Sequence, residues 1–305
     1  MAQAKTTNRG LSGRLADTDI RLLRIYRTVV EAGGFTSAEI ELNISRAAIS
    51  VAISDLEQRL SLKLCQRGRA GFSLTDQGTE VYQATLRLFA ALEDFRTQVN
   101  GIHHQLKGEL VIGITDNLVT MPRMKITRAL ANLKSQGPEV QINIRMIPPA
   151  DIEKGVLNGQ LHTGVVPVHK EQPGLEYRAL YSEESHLYCS NTHPLFERPT
   201  AELDLQMIEA YEAVVPAYAQ SPNIKAIYQR MRAGATATDR EGIAFLILTG
   251  HYIGYLPTHF AERWLLQGTL RALLPEQAVY RTDIAAVSRK GTHSNAVLEH
   301  YLAQL

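Results

Sequence analysis

Apolar side chains in the first part of the chain recur with a helical period. They keep this spacing over residues 19–32, and the pattern stops at a pair of glycines, which predicts a helix and its end. Thr36 and Glu39 then have the spacing of a capping box, in which each side chain satisfies a free backbone N–H at the start of a helix. We therefore expect a second, short helix that ends near Asn43.

A third, longer helix is predicted from Ser45, which can cap its N-terminus, to about residue 60. Its large apolar side chains share one face, which must be buried: Ile49, Ile53, Leu56 and Leu60. The opposite face collects mostly small residues: Ala47, Ser50, Val51, Ser54 and Gln58. An exposed helix face normally carries Lys and Glu, so this face is unusual. It would fit the major groove of DNA, with Arg46 reaching bases or phosphates; packing against another protein element is the alternative.

Two helices joined by a short turn have the layout of a helix-turn-helix motif. Downstream, Arg67 and Arg69 lie on a glycine-containing turn between two short extended pieces. A basic β-wing laid along the DNA backbone has this pattern, and an ordinary hairpin with solvated arginines is the alternative.

A heptad repeat follows over residues 76–104. Thr85 and six apolar residues occupy the two core positions of this repeat in turn. The six apolar residues are the expected dimerisation residues: Val81, Leu88, Leu92, Phe95, Val99 and Ile102. Three such heptads predict a long helix that pairs with a partner helix. Packing of the helix against its own domain is the alternative.

After residue 107 the pattern changes to strands that alternate with helices. Strands are predicted at 110–114, 140–147, 163–166, 175–181, 186–190, 213–216, 252–256 and 284–288, with helices up to about 135 and at 150–158. This order is typical of an α/β sheet with helical crossovers.

In the first quarter, one set of residues has a recognisable order and spacing: Phe35-Thr36, Ala38, Leu42, Ile44-Ser45, Ala48-Ile49-Ser50, Ile53, Leu56-Glu57, Leu60, Leu64, Arg67, Leu74-Thr75 and Gly78. In these residues the chain resembles the LysR-type transcriptional regulators. In the remainder, residues 137–140, 159–167, 174–180, 191–195 and 250–257 match the regulatory domain of the family. Together these similarities cover nearly the whole chain from about Asp17.

The resemblance implies an N-terminal winged helix-turn-helix domain, mainly α, and a two-lobed α/β effector domain of the periplasmic-binding-protein type. The expected parts are a disordered tail (1–16), the DNA-binding domain (17–75), the linker or dimerisation helix (76–104) and the effector-binding regulatory domain (108–305). Within the last part, lobe I is expected at 108–179 and 282–305, and lobe II at 180–281.

The expected DNA-contacting residues lie on the second and third helices and on the wing. They are Thr36, Ser37, Ser45, Arg46, Ala47, Ser50, Val51, Ser54, Arg67 and Arg69. The resemblance implies DNA contacts at Arg46, Ala47, Ser50 and Val51 and wing support from Arg67. The family commonly has Gln-Pro where this chain has Arg46-Ala47, and Arg where it has Val51, so its base preference does not carry over.

Effector-binding candidates lie where predicted strands end, since ligands of such sheets bind there and anions favour helix N-termini. They are Thr115, Asp116, Asn117, Pro167, Val168, His169, Thr236 and Thr238. Thr115, Asp116 and Asn117 are expected to begin a helix. Thr115 and Asn117 are the two candidates for the position at which the family usually has Ser or Thr. Ordinary capping is the alternative for each residue. Asp116 would disfavour an anion unless it caps a helix or pairs with a base such as Arg123 or Arg145.

Composition and charge fit this organisation. A length of 305 residues predicts two or three compact units. Residues 1–75 carry 11 Lys and Arg against 7 Asp and Glu, whereas residues 76–305 carry 21 against 24, which favours a DNA-binding module at the start. The two cysteines, Cys65 and Cys189, are far apart, which indicates a reducing compartment and no zinc site.

The sequence has no GxGxxG, P-loop, GxSxG or HExxH motif, so we predict no enzymatic activity, no cofactor and no metal site. It also has no apolar export signal and no membrane-spanning run. We expect a cytoplasmic transcriptional regulator that binds double-stranded promoter DNA and a small-molecule metabolite as a homodimer or homotetramer. A solute-binding protein without a transcriptional role is the alternative.

Overall fold

The computed structural model describes residues 15–68, 71–102, 106–291 and 295–305. They belong to two compact units that divide between Glu93 and Asp94. The expected disordered tail lies outside the described residues except for its last two, as does Arg69. No helix in the described ranges is long and apolar enough to cross a bilayer.

The first unit contains a winged helix-turn-helix. Its elements are α1 (Asp17–Glu31), α2 (Phe35–Leu42), α3 (Arg46–Leu60), β1 (Cys65–Gly68), β2 (Gly71–Leu74) and the start of α4 (Asp76–Ile102). β1 and β2 pair antiparallel. The core includes the predicted buried face of α3, which consists of Ile49, Ile53, Leu56 and Leu60. These side chains pack with Leu22, Tyr26 and Val29 of α1. The Tyr26 hydroxyl donates to the Gly78 carbonyl oxygen at 2.7 Å, which fixes the start of α4 to this core.

Helix α3 begins as predicted, and α2 does not. The Ser45 hydroxyl accepts from the Ala48 N–H at 3.2 Å and caps α3. The capping box predicted for Thr36 and Glu39 is wrong, because α2 already begins at Phe35 and its N-cap, Gly34, has no side chain to accept a hydrogen bond. The Glu39 carboxylate instead accepts from the Arg46 N–H at 3.2 Å, so it joins α2 to the first turn of α3.

Glu57 fixes the wing to the end of α3. Its buried carboxylate accepts from the Leu64 and Cys65 N–H groups at 2.9 and 3.2 Å and from the Lys63 ammonium at 2.5 Å. Burial raises the pKa of this carboxyl, but the hydrogen bonds from Lys63, Leu64 and Cys65 outweigh burial and leave the pKa lowered. The ionised form therefore stabilises the fold.

We expect this carboxylate to make the wing acid-sensitive. A pKa that is lower in the folded state contributes stability above the unfolded pKa, and that contribution is lost as the pH falls below the unfolded pKa and through the lowered pKa of the folded state. The Glu57→Gln variant, which should lose about 1–3 kcal/mol at neutral pH, should show a flatter pH dependence. Hydrogen-exchange protection of residues 61–68 measures both effects, with Glu41→Gln on exposed α2 surface as the control. Equal pH dependence in wild type and Glu57→Gln would contradict this account.

The second unit is an α/β structure. Its strands are β3 (Gly108–Ile114), β4 (Val140–Met146), β5 (Thr163–Pro167), β6 (Leu175–Ser190), β7 (Glu212–Pro216), β8 (Arg232–Ala237), β9 (Gly254–Pro257), β10 (Leu270–Ala272) and β11 (Val279–Arg289). Its helices after α4 are α5 (Lys125–Gln136), α6 (Pro149–Asn158), α7 (Leu205–Glu209), α8 (Pro222–Gln229), α9 (Arg240–Leu248), α10 (Thr258–Leu266) and α11 (Ala296–Ala303).

One sheet runs through both lobes in the order β10-β6-β11-β5-β3-β4, with β9 also on β6, and β7 pairs with β8. β3 is parallel to β4 and β5, whereas β11 is antiparallel to β5 and β6. The two long strands β6 and β11 continue from one lobe into the other, and their register shifts between Ile284 and Ala285. We keep the names lobe I and lobe II for the residue ranges given above.

The strands predicted separately at 175–181 and 186–190 are one strand, β6. Polar residues, 182–185, lie between the two predicted ranges. Glu183 and Ser185 are buried instead, and this stretch pairs with β11. Their burial at the lobe crossing is what places polar groups in the cleft described next.

Candidate functional site

A concave groove of about 650 Å³ lies on the first unit where DNA contacts were predicted. It is lined by Gly33, Gly34, Phe35, Thr36, Ser37, Arg46, Ala47, Ser50, Gly71 and Phe72. The wing forms one wall, because the Phe72 ring packs against Phe35 with the ring centroids 5.8 Å apart. A side chain at Gly34 would meet the Phe72 Cβ at 3.3 Å and would also be strained at its φ of 147°.

The groove brings together five of the predicted DNA-contacting residues: Thr36, Ser37, Arg46, Ala47 and Ser50. Ser45 supplies the cap of α3, and Val51 and Ser54 are exposed on the same helix. Arg67 lies on β1, but its side chain is outside the described residues, as is all of Arg69. Apart from Phe35 and Phe72, the side chains that line the groove are small, with Arg46 as its arginine.

Helix α4 divides its heptad residues between two environments. Val81 and Leu88 pack against the core of the first unit. For these two residues the structure matches the alternative given above, in which the helix packs against its own domain. Leu92, Phe95 and Val99 are exposed, with Phe95 reaching 65 %. The side chain of Ile102 is outside the described residues. Of the predicted dimerisation residues whose side chains are described, these three are the exposed ones.

A cavity of about 320 Å³ lies between the two lobes of the second unit. It is lined by Thr115, Asp116, Met146, Ile147, Pro148, Pro149, Pro167, Tyr218, Thr238, Asp239 and Arg240. Four predicted effector residues, Thr115, Asp116, Pro167 and Thr238, are among them. Asn117, Val168, His169 and Thr236 are not in this lining, and Val168 lines a different, larger hollow at the lobe crossing.

The helix end that faces this cavity differs from the expected one. Thr115, Asp116 and Asn117 do not open a helix, because only a short 3-10 turn over Leu118–Thr120 follows them and α5 begins at Lys125. The cavity instead faces the N-terminus of α9 in lobe II, where Asp239 caps the helix by accepting from the Gly242 N–H at 2.7 Å.

Asp116 of lobe I is bound to that helix end. Its carboxylate accepts from the Arg240 backbone N–H at 2.6 Å and from the Arg240 Nη1 at 2.8 Å. The Asn117 amide donates to the same carboxylate at 2.9 Å and so orients it. Asp116 thus both contacts a helix N-terminus and pairs with a basic side chain. That side chain is Arg240, and not Arg123 or Arg145 as expected, because the fold places Arg240 on the other side of the cleft.

Arg240 sits among charged and aromatic groups. Its side chain is 11 % exposed, lies 3.4 Å from the Glu183 carboxylate and stacks over the Tyr218 ring at 5.4 Å. Burial opposes the charge of Arg240, yet Tyr218, Glu183 and Asp116 raise its pKa well above the usual value. Arg240 is therefore a permanent cation in the cleft.

A second polar contact also joins the lobes. The Thr120 hydroxyl of lobe I lies 2.6 Å from His259 Nδ1 of lobe II, and His259 Nε2 lies 3.0 Å from the Glu183 carboxylate. Glu183 is 2 % exposed and contacts both Arg240 and His259. The chain Asp116–Arg240–Glu183–His259–Thr120, which we call the interlobe latch, therefore crosses the cleft twice. The described residues contain no cluster of His, Cys, Asp or Glu that could hold a metal ion.

Sequence reasoning missed most of the latch. Glu183, Tyr218, Arg240 and His259 are absent from the effector-binding candidates of the sequence analysis. A capping residue followed by an arginine, Asp239-Arg240, was the one local signal that a charged helix end was present.

Comparison with known proteins decides the family. Residues 103–305 match the model described as the LysR substrate binding domain, and residues 20–79 match that of the bacterial regulatory helix-turn-helix protein, lysR family. The chain belongs to the LysR family. It is 54 % identical over 299 residues to the HTH-type transcriptional activator BauR of Pseudomonas aeruginosa, which covers 98 % of both chains. It is also 27 % identical to the HTH-type transcriptional regulator CysL of Bacillus subtilis over 61 % of each chain.

Solved structures show the same fold. Full-length CbnR complexed with its target DNA aligns with a TM-score of 0.65 at 18 % identity, over 93 % of this chain and 98 % of that one. The protein is thus a LysR-type transcriptional regulator with a DNA-binding helix-turn-helix domain and a two-lobed effector-binding domain. The alternative of a solute-binding protein without a transcriptional role is not supported, because the helix-turn-helix model matches.

Proposed function

We propose that this regulator activates transcription when a small metabolite occupies the cavity between its lobes. The 54 % identity with a transcriptional activator supports the direction of the effect. The protein acts in the cytoplasm and by binding alone, with no catalytic step and no metal or cofactor. It works as a homodimer or homotetramer, for which the exposed Leu92, Phe95 and Val99 of α4 supply an apolar seam.

The interlobe cavity is the observation that carries this proposal. Polar groups of the two lobes contact each other across this cleft. A small molecule that fills the cavity of about 320 Å³ would contact both lobes at once. The residues proposed to contact the metabolite are Thr115, Asp116, Pro167, Tyr218, Thr238 and Arg240. A ligand that contacts these groups alters the latch, and it thereby changes the angle between the lobes.

The proposed DNA contacts come from the exposed face of α3 and from the groove beside it. Arg46 and the hydroxyls of Thr36, Ser37 and Ser50 are suited to phosphates and base edges, and the small Ala47 lets the helix approach the bases. Ser45, Val51, Ser54, Arg67 and Arg69 complete the proposed set. The excess of Lys and Arg over Asp and Glu in residues 1–75 favours attraction to the duplex.

Filling the cavity tests the effector site. A panel of metabolites is first screened for compounds that raise the Tm of the full-length protein. We expect Thr238→Phe to abolish the Tm increase given by such a compound and to weaken its calorimetric affinity at least about tenfold, because the ring occupies the cavity. Thr236→Phe, two residues earlier on β8 and outside the lining, is the matched control and should bind normally. Normal binding by Thr238→Phe would refute the site.

A further inference from the structure

One large apolar side chain, Val51, is exposed on the proposed DNA-reading face of α3. Val51 is 60 % exposed, one helical turn after Ala47 and one turn before Ser54. The helix cannot turn to bury it, because Ile49 and Ile53 on the opposite side are fully buried in the core. Val51 is therefore held at the surface by the packing of its own helix.

The chemistry of valine limits what this side chain could recognise. It has no hydrogen-bond donor or acceptor, so it cannot read the polar edges of bases. Among the groups that the four base pairs present in the major groove, the C5 methyl of thymine is the apolar one. The neighbours Ala47 and Ser50 are short enough to let Val51 reach a base edge.

We propose that Val51 contacts a thymine methyl group in each half-site and so selects a T·A pair at that position. This inference rests on the proposed DNA-reading face of α3. It makes Val51 a specificity-determining residue whose contribution is apolar. Family members with arginine at this position would instead favour guanine, whose O6 and N7 accept hydrogen bonds from a guanidinium.

Deoxyuridine scanning tests this contact, because uracil differs from thymine only by the missing methyl. A duplex is first selected from a random pool with the full-length protein, and each thymine is then replaced singly by deoxyuridine. We expect one position per half-site at which the wild-type affinity falls about fourfold, the equivalent of one buried methyl. Val51→Ala should bind the thymine duplex more weakly and be insensitive to deoxyuridine at that position. Alanine favours the helix, so α3 is retained.

Two further variants sharpen the test. Val119→Ala, the same change at an exposed valine of the other unit, should keep the wild-type deoxyuridine profile. Val51→Arg should shift the selected base at the sensitive position towards guanine. Tolerance of deoxyuridine at every position, or an unchanged profile in Val51→Ala, would overturn the inference while leaving the DNA-reading face intact. Failure to select any duplex would overturn both.

Discussion

Replacing Arg240 with methionine is expected to lower the free energy of unfolding of the regulatory unit by about 3–5 kcal/mol. The change leaves the Glu183 carboxylate, which is 2 % exposed, without its cation and removes the guanidinium contact of Asp116 across the cleft. A buried charge that loses its partner retains its desolvation cost, so the effect is much larger than for a surface ion pair. Methionine keeps most of the apolar stem of arginine, so packing changes little.

Urea unfolding of the full-length protein measures this effect. The fluorescence of Trp264, the single tryptophan of the chain, reports on α10 of lobe II. Arg232→Met is the matched control, because the ion pair of Arg232 with Glu212 is largely exposed and should contribute less than about 1 kcal/mol. We also expect faster hydrogen exchange at both sides of the cleft in Arg240→Met. A stability loss no larger than that of the control would show that the latch does not hold the lobes together.

Introducing a negative charge on the proposed DNA-reading face of α3 should nearly abolish DNA binding. Ala47 lines the groove and lies on the exposed side of α3, so Ala47→Glu would place a carboxylate against the duplex. Like charges at an interface cost several kcal/mol, and we expect affinity for a selected duplex to fall at least about 100-fold. Fluorescence anisotropy with a labelled duplex measures the loss.

The control for this variant carries the same substitution elsewhere. Ala201 is exposed in lobe II, so Ala201→Glu changes the net charge equally without touching α3. It should reduce affinity less than about threefold, through the long-range field alone. Affinities that fall equally in both variants would mean that net charge, and not this face of α3, controls binding.

Local patterns predicted the first unit well because its contacts are local. The apolar face of α3 and its Ser45 cap follow from spacing alone, and both are present in the structure. The heptads of α4 were ambiguous for a physical reason. The same apolar spacing serves a partner helix or the domain core, and Val81 and Leu88 pack in the core while Leu92 is exposed.

The interlobe latch could not be predicted from local patterns because it is made by the topology. Asp116 and Arg240 are 124 positions apart and meet only because β6 and β11 run between the lobes. Sequence reasoning placed Asp116 at a strand end correctly, but it assumed a helix directly after it. The positive φ of 67° at Asn117 turns the chain there, and the helix end in the cavity comes from α9 of the other lobe.

The salt dependence of DNA affinity tests the central claim most directly, that this chain regulates transcription through the face of α3. Anisotropy titrations of the wild-type protein on a selected promoter duplex would be repeated at several salt concentrations. A protein that neutralises several phosphates should show a steep linear fall of log affinity with log salt. We predict such a slope for the wild type, together with a change of affinity when a Tm-raising metabolite is added. Affinity that is independent of salt, for any duplex and with or without metabolites, would contradict the account.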